Sequence, residues 1–313
     1  MANKIQLENY SPTIRQDMLV TLSKNFPLGE IEMNIFYLLV SQVKPQDPPG
    51  LEYTIPIKHV EHFTGRVQKM ERLHAACESL RKKELKIVDK EMDFVSTGLL
   101  AEAYKIKGEK TLRVSLSNYA RKFYVNLKER FSTFELEKLL KLKGRHSKRL
   151  YILLSAFRDT GFYETSFENL VEILTKKIDT EGNERIAKYK TGNFKSEVLL
   201  PSQEEINTNT DLKFDIEYRK SGRKITHYRF TIEFTGEERD FVKKYRKNED
   251  FSRLMDEFRL SAFQAREVVD HISSQEIKLI CRTIQLANTN NEIRVIGAYT
   301  VKRIKEAYPF VNI

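Results

Sequence analysis

Apolar positions recur with helical spacing in Ile31-Glu-Met-Asn-Ile-Phe-Tyr-Leu-Leu-Val40, directly after the break Pro27-Leu28-Gly29. The loop Lys44-Pro-Gln-Asp-Pro-Pro-Gly50 separates this helix from a short extended piece, Tyr53-Thr-Ile55. Ile57 to Phe63 reads as a short helix with Val60 and Phe63 inward, Thr64-Gly65 as a turn, and Val67 to Arg81 as a longer helix. Met70, Leu73, Cys77 and Leu80 form its apolar stripe. Leu85 to Val88 and Ala103 to Ile106 read as strands, and Lys107-Gly-Glu-Lys110 as a hairpin tip leading into Thr111 to Ser115.

The order then recurs. Lys148 to Phe157 is an apolar helix in which Arg149-Leu-Tyr-Ile-Leu-Leu-Ser155 echoes Asn34-Ile-Phe-Tyr-Leu-Leu-Val40. A short extended piece at Phe162 to Glu164 precedes a helix from Ser166, its cap, to Leu174. A longer helix follows at Asn193 to Asn207, where Pro201 predicts a kink or an early first turn. Two strands, Leu212 to Tyr218 and Thr226 to Phe234, flank the basic turn Arg219-Lys-Ser-Gly-Arg-Lys224. Helix, short strand, helix, helix, β-hairpin is the order of a winged helix, although the same pattern fits unrelated α+β domains. Beyond residue 237 the pattern turns helical: Glu237 to Tyr245, Leu254 to Phe258, Ala262 to His271, Gln275 to Asn288, and a loop from Ile293 into a last helix. The expected fold class is α+β, mainly helical. Two tandem winged-helix domains (1–120 and 121–236) carry a C-terminal helical appendage (237–313).

Charge gives this frame its chemistry. The 313 residues include 54 Lys and Arg against 44 Asp and Glu, a net charge of +10, which favours a polyanionic partner. With 40% hydrophobic residues the chain has material for real cores, which excludes a disordered protein. Most of the surplus lies in the middle: residues 111–236 carry net +7, against +1 for 1–110 and +2 for 237–313. Residues 121–149 alone hold ten basic and three acidic side chains. Two cysteines far apart, no apolar leader and no run near the roughly 20 residues of a membrane span predict a cytoplasmic (bacterial) protein with no membrane partner.

A winged helix lays its third helix in the major groove and its hairpin against the backbone. The second copy is the better equipped. Lys188, Lys190, Asn193, Lys195 and Ser196 stand before and within the first turns of its third helix, where Lys can donate to guanine and Asn can pair with adenine. Lys220, Arg223 and Lys224 surround Gly222 at the wing, placed for phosphates. Arg145, Ser147 and Arg149 from the basic run complete this set. The first copy offers Arg66, Lys69 and Arg72, with Glu61 and Glu71 close by, and reads as the weaker binder.

No nucleotide cradle, H-E-x-x-H or C-x-x-C motif is present, and no catalytic residue or cofactor is expected. His59-Val-Glu-His62 lacks the spacing of a nickase metal site. His59, His62, His74 and Cys77 have a spacing zinc accepts, but helix packing explains His74 and Cys77, and no metal is expected.

Arg149-Leu-Tyr-Ile-Leu-Leu, Asn193-Phe-Lys-Ser-Glu-Val-Leu-Leu200, Glu205-Ile-Asn207, Thr210-Asp-Leu-Lys-Phe and Lys220-Ser-Gly-Arg-Lys-Ile resemble the replication initiator proteins of iteron-containing plasmids. The likeness runs from about residue 8 to 235 and is most specific over 147–234. It implies two winged helices related by a pseudo-twofold. It also implies a monomer that binds repeated iterons at the origin, and a dimer, joined through the first domain, that represses its own gene at an inverted repeat. Host initiator, helicase and chaperone proteins are further implied partners. Lys195 matches the family's basic position in the reading helix, and Ser196 stands where a second basic residue is common. A winged-helix transcription regulator without a replication role shares the same DNA chemistry and is the alternative.

Overall fold

The computed structural model describes residues 10–83, 97–127, 131–178, 183–222, 224–233, 242, 244–258, 260–289, 296–311 and 313. The chain divides into two compact units, Met1–Ala156 with Glu164–Arg229, and Phe157–Tyr163 with Phe230–Ile313.

The first unit begins with β1 (Thr13–Asp17) and α1 (Met18–Leu22), which the apolar spacing does not announce. α2 (Glu30–Val40) follows the Pro27-Leu28-Gly29 break and is buried from Met33 to Val40. Glu32 starts it by accepting from the Gly29 N–H at 2.6 Å. β2 (Glu52–Pro56), α3 (Ile57–Thr64) and α4 (Met70–Lys82) come next, then the hairpin of β3 (Leu100–Tyr104) and β4 (Thr111–Leu116). Gly65 takes φ 67° to end α3, a left-handed conformation that makes the tight turn into α4. α4 turns Leu73, Ala76, Cys77 and Leu80 inward. Met70 and His74, placed on the buried stripe by spacing, face outward instead, because the stripe follows Ala76. The expected strand at 85–88 lies outside the described residues. β2, β4 and β3 pair antiparallel in that order.

α5 (Asn118–Arg121) leads to β5 (Phe131–Glu135), which pairs antiparallel with β1, Ile14 opposite Phe134. This ladder joins residues beyond 120 to the N-terminal strand of the first winged helix. α6 (Leu136–Lys141) and α7 (Arg145–Ser155) follow, with every residue of α7 from Ser147 onward buried. The second copy continues with β6 (Phe162–Ser166) and α8 (Phe167–Thr175), which Ser166 caps by accepting from Asn169 N at 3.2 Å. A two-residue pair, β7 (Lys177–Ile178) and β8 (Glu184–Arg185), precedes the third helix.

That helix spans 191–209 in three parts: α9 (Thr191–Phe194), a π-helical turn at Lys195–Leu199, and α10 (Leu200–Asn209). Pro201 explains the middle part. It has no N–H for the Glu197 carbonyl, and its ring crowds that carbonyl, so the preceding turn widens and Leu200 N bonds to Lys195 O. The wing is the hairpin of β9 (Phe214–Ser221) and β10 (Lys224–Ile232), turned at Gly222 with φ 60°. The sheet order β6-β10-β9 repeats the β2-β4-β3 order of the first copy.

The second unit has its own core. Helices Glu249–Asp256, Ala262–His271, Ser274–Thr289 and Ile296–Ala307 bury Phe251, Met255, Phe258, Ala265, Cys281 and Ile304 together. The helix expected at 254–258 starts at Glu249, because Asn248 caps it by accepting from Asp250 N and Phe251 N. The expected helix 237–245 falls largely outside the described residues.

Candidate nucleic-acid interface

The third helix of the second winged helix is fixed from within by one aromatic side chain. Phe194 is fully buried, edge-on to Phe167 and Tyr189, with Tyr228 of β10 beside it. With Phe194 locked inward, Asn193 and Ser196 stand exposed and Lys195 half-buried on the outer side. Ser196 Oγ donates to the Gly192 and Asn193 carbonyls, both at 3.2 Å. Lys188 and Lys190 are exposed just before the helix. Structure thus brings these five candidates together on one segment.

The wing stands beside them. Lys220 and Lys224 are exposed, and Lys224 Nζ lies 3.2 Å from Glu168 at the start of α8. Arg219 pairs with Glu164. Arg223 lies outside the described residues. Between helix and wing sits Tyr218, which the sequence reading passed over. Lys195 Nζ is 5.0 Å and Lys220 Nζ 5.2 Å from its ring centroid. The available signal was the i, i+2 spacing of Tyr218 and Lys220 on one face of a strand.

Three candidates from the basic run stand elsewhere. Ser147 is buried, and Arg149 is 4% exposed with its guanidinium donating to Ser23 O at 2.6 Å. Arg145 is half-buried and donates to Lys176 O at 2.7 Å. Ser147 and Arg149 thus turn inward, away from the exposed segment that carries the other candidates. Lys148 is 0% exposed, its ammonium donating to the Leu139 and Leu140 carbonyls at 2.7 and 3.2 Å. Burial lowers its pKa to about 7, against the opposing pull of Glu30 and Glu205. Arg121 holds the 44–47 loop through the Asp47, Lys44 and Pro45 carbonyls. Arg121, Arg145, Lys148 and Arg149 of the basic run thus satisfy backbone carbonyls, while Lys122, Lys141 and Lys143 face solvent. Arg149, Lys24 with Glu172 at 2.6 Å, and Lys176 with Asn25 at 2.7 Å together grip residues 23–25 of the first copy from α7, α8 and the residue after α8.

In the first copy Arg66, Lys69 and Arg72 are exposed at the start of α4. Arg66 is engaged by Glu30 at 3.2 Å, and Glu61 accepts from Gln68 N at 3.0 Å. His59 is buried and hydrogen-bonded to Tyr10 at 2.8 Å, His62 and His74 are exposed, and Cys77 is buried with its thiol pushed up to about 11. Among the described residues no group of His, Cys, Asp or Glu is arranged to hold a metal, and no helix is long and apolar enough to cross a membrane.

Two winged helices in tandem, one with a cationic third helix and wing, define a class of DNA-binding protein. Residues 14–155 match the family described as initiator replication protein, WH1, and residues 171–232 match initiator Rep protein, WH2. The chain belongs to this family of DNA-binding initiators of plasmid replication. Its fold is shared by the crystal structure of the Pi initiator protein in complex with iteron DNA. The TM-score is 0.59 at 18% identity, with 71% of this chain and 97% of that chain covered. No curated protein matches.

Proposed function

We propose that the protein initiates plasmid replication without chemistry of its own, its monomer binding directly repeated iterons at the origin. The second winged helix is the main reader: Asn193, Lys195 and Ser196 meet base edges, while Lys188, Lys190, Lys220, Arg223 and Lys224 meet phosphates. The first winged helix adds a secondary contact through Arg66, Lys69 and Arg72, and pairs two copies into a dimer that represses its own gene. The observation that carries this is the inward lock of Phe194, which supports an outward, base-facing Asn193 and Lys195.

Footprinting on the DNA beside the gene tests it. Several direct repeats of roughly 20 bp should each be protected by one monomer over about two helical turns, because two winged helices engage major grooves about one turn, roughly 10 bp, apart. Protection of a single major groove would show that the first winged helix does not touch DNA. The gene and these repeats as sole replicon should transform a host; failure to do so with binding intact favours a regulator without a replication role. Binding should also fall steeply with salt. Six to ten phosphate contacts give a slope of log K against log salt of roughly −5 to −9, and a slope shallower than about −2 contradicts the phosphate contacts.

A further inference from the structure

Tyr218 occupies the fifth position of β9 and is 41% exposed, with Lys220 two residues on along the same face of the strand. Its ring carries two ammonium groups from different elements, Lys195 Nζ at 5.0 Å from the third helix and Lys220 Nζ at 5.2 Å from the wing. The neighbouring wing cations are held otherwise: Arg219 by Glu164 and Lys224 by Glu168. Among the described residues neither Lys195 nor Lys220 has a carboxylate within ion-pair distance. We propose that Tyr218 is a positioning residue that holds Lys195 and Lys220 in a DNA-ready arrangement and ties the third helix to the wing.

The choice of an aromatic ring has a physical reason. A carboxylate at this position would hold both lysines but neutralise the charge that draws the phosphate backbone. The ring face attracts cations through its quadrupole and leaves both formal charges in place. Free lysine side chains lose considerable rotamer freedom when a contact fixes them, so a ring that restricts them beforehand reduces that loss on binding. The inference rests on the DNA-reading role of the third helix proposed above.

The test uses the full chain, a fluorescent duplex carrying one direct repeat from beside the gene, and a scrambled duplex. Tyr218→Leu should weaken binding to the repeat by about fivefold, two modest cation–π contacts being lost, while Tyr218→Phe stays within about twofold of the parent. In a Lys195→Ala, Lys220→Ala background Tyr218→Leu should have no further effect. In the free protein, the ε-methylene protons of Lys195 and Lys220 should be shifted upfield by the ring current and return to ordinary positions in Tyr218→Leu. Parent-like binding by Tyr218→Leu overturns the proposal. So does equal loss in the Phe and Leu variants, which marks a hydroxyl contact with DNA. A further loss without the two lysines also overturns it, since the ring then touches DNA itself. Unshifted lysine protons overturn it irrespective of DNA. Upfield shifts in a parent protein that does not prefer the repeat over the scrambled duplex instead refute the reading role of the third helix.

Discussion

The two winged helices share strand order and close on the same kind of hairpin, and each carries a half-exposed tyrosine at the fifth position of the first wing strand. Tyr104 on β3 is 44% exposed and Tyr218 on β9 is 41% exposed. Their surroundings differ. The Tyr104 hydroxyl donates to the carboxylate of Glu52, which also accepts from Arg113 at 3.1 Å, and Arg113 is further engaged by Glu109. The hydrogen bond from Tyr104 holds the Glu52 carboxyl below its ordinary value, and this carboxylate on β2 stands beside Arg113 of the wing. In the second wing the tyrosine faces two lysines. The same contrast recurs in the helices: Arg66 before α4 is paired with Glu30, whereas Lys195 rests on a ring. One scaffold thus supports a wing tyrosine bonded to a carboxylate–arginine cluster and a wing tyrosine that faces two lysines, and a few side chains decide which.

The first helices of the two copies differ in the opposite sense. In the alignment of α7 on α2, Lys148 and Arg149 stand where the first copy has Met33 and Asn34, and all four are buried. The second copy has turned cations inward at its joint with the first and outward at its third helix.

The largest effect should come from the anchor of the reading helix. Phe194→Ala should cost about 3–5 kcal/mol in urea unfolding, as a fully buried aromatic does, while Met70→Ala on the exposed start of α4 should cost less than about 1. Equal costs would break the contrast between an anchored and an unanchored third-helix start. Next is Lys195→Ala, expected to lose about 1–3 kcal/mol on the repeat duplex and much less on a scrambled one. Equal loss on both would make Lys195 a phosphate contact. Arg223→Ala should instead lower both affinities together and reduce the salt slope by about one.

Lys148→Met, which copies Met33, tests the inward cation. Folded Lys148 releases its proton near pH 7, whereas in an unfolded chain a lysine holds it to about 10.4. Between these values the unfolded chain binds more protons, so parent stability should rise with pH across that window, the cost of burying the charge being fully present below it. Urea midpoints at pH 6.5, 8 and 9.5 should show this rise in the parent and lose it in Lys148→Met; parallel profiles would contradict it. The smallest effect is expected from Glu30→Gln, which releases the half-exposed Arg66. Affinity for scrambled DNA should rise by about 0.5 kcal/mol, in line with a surface ion pair, and an unchanged affinity would show that Arg66 faces no DNA.

Most helices were legible because their apolar spacing is local. α8 shows its inward face through its own residues, and the apolar runs of α2 and α7 show two helices, which folding buries on every side. The β1–β5 ladder was not. Its partners lie more than a hundred positions apart, and its inner face includes polar Gln16 and Ser132. These are satisfied by each other and by Tyr37, where Ser132 Oγ donates to Gln16 O at 3.2 Å and Tyr37 OH to Gln16 Oε1 at 2.8 Å. The π-helical turn was half legible: Pro201 announced an irregularity, and packing of Phe194 and Val198 on the core kept the helix continuous through it.

The sequence by itself determined the repeated element order, the cationic character of the middle segment and the placement of Asn193, Lys195 and Ser196 at the start of the third helix. Tertiary structure alone decided which positive charges turn inward. Lys148 and Arg149 look like Lys188 and Lys190 in a charge count, yet the former donate to buried backbone carbonyls and the latter face solvent. Periodicity is written in a residue's neighbours along the chain. The partner of a charge is a group brought close only by folding, as Ser23 is to Arg149 and Tyr218 to Lys195.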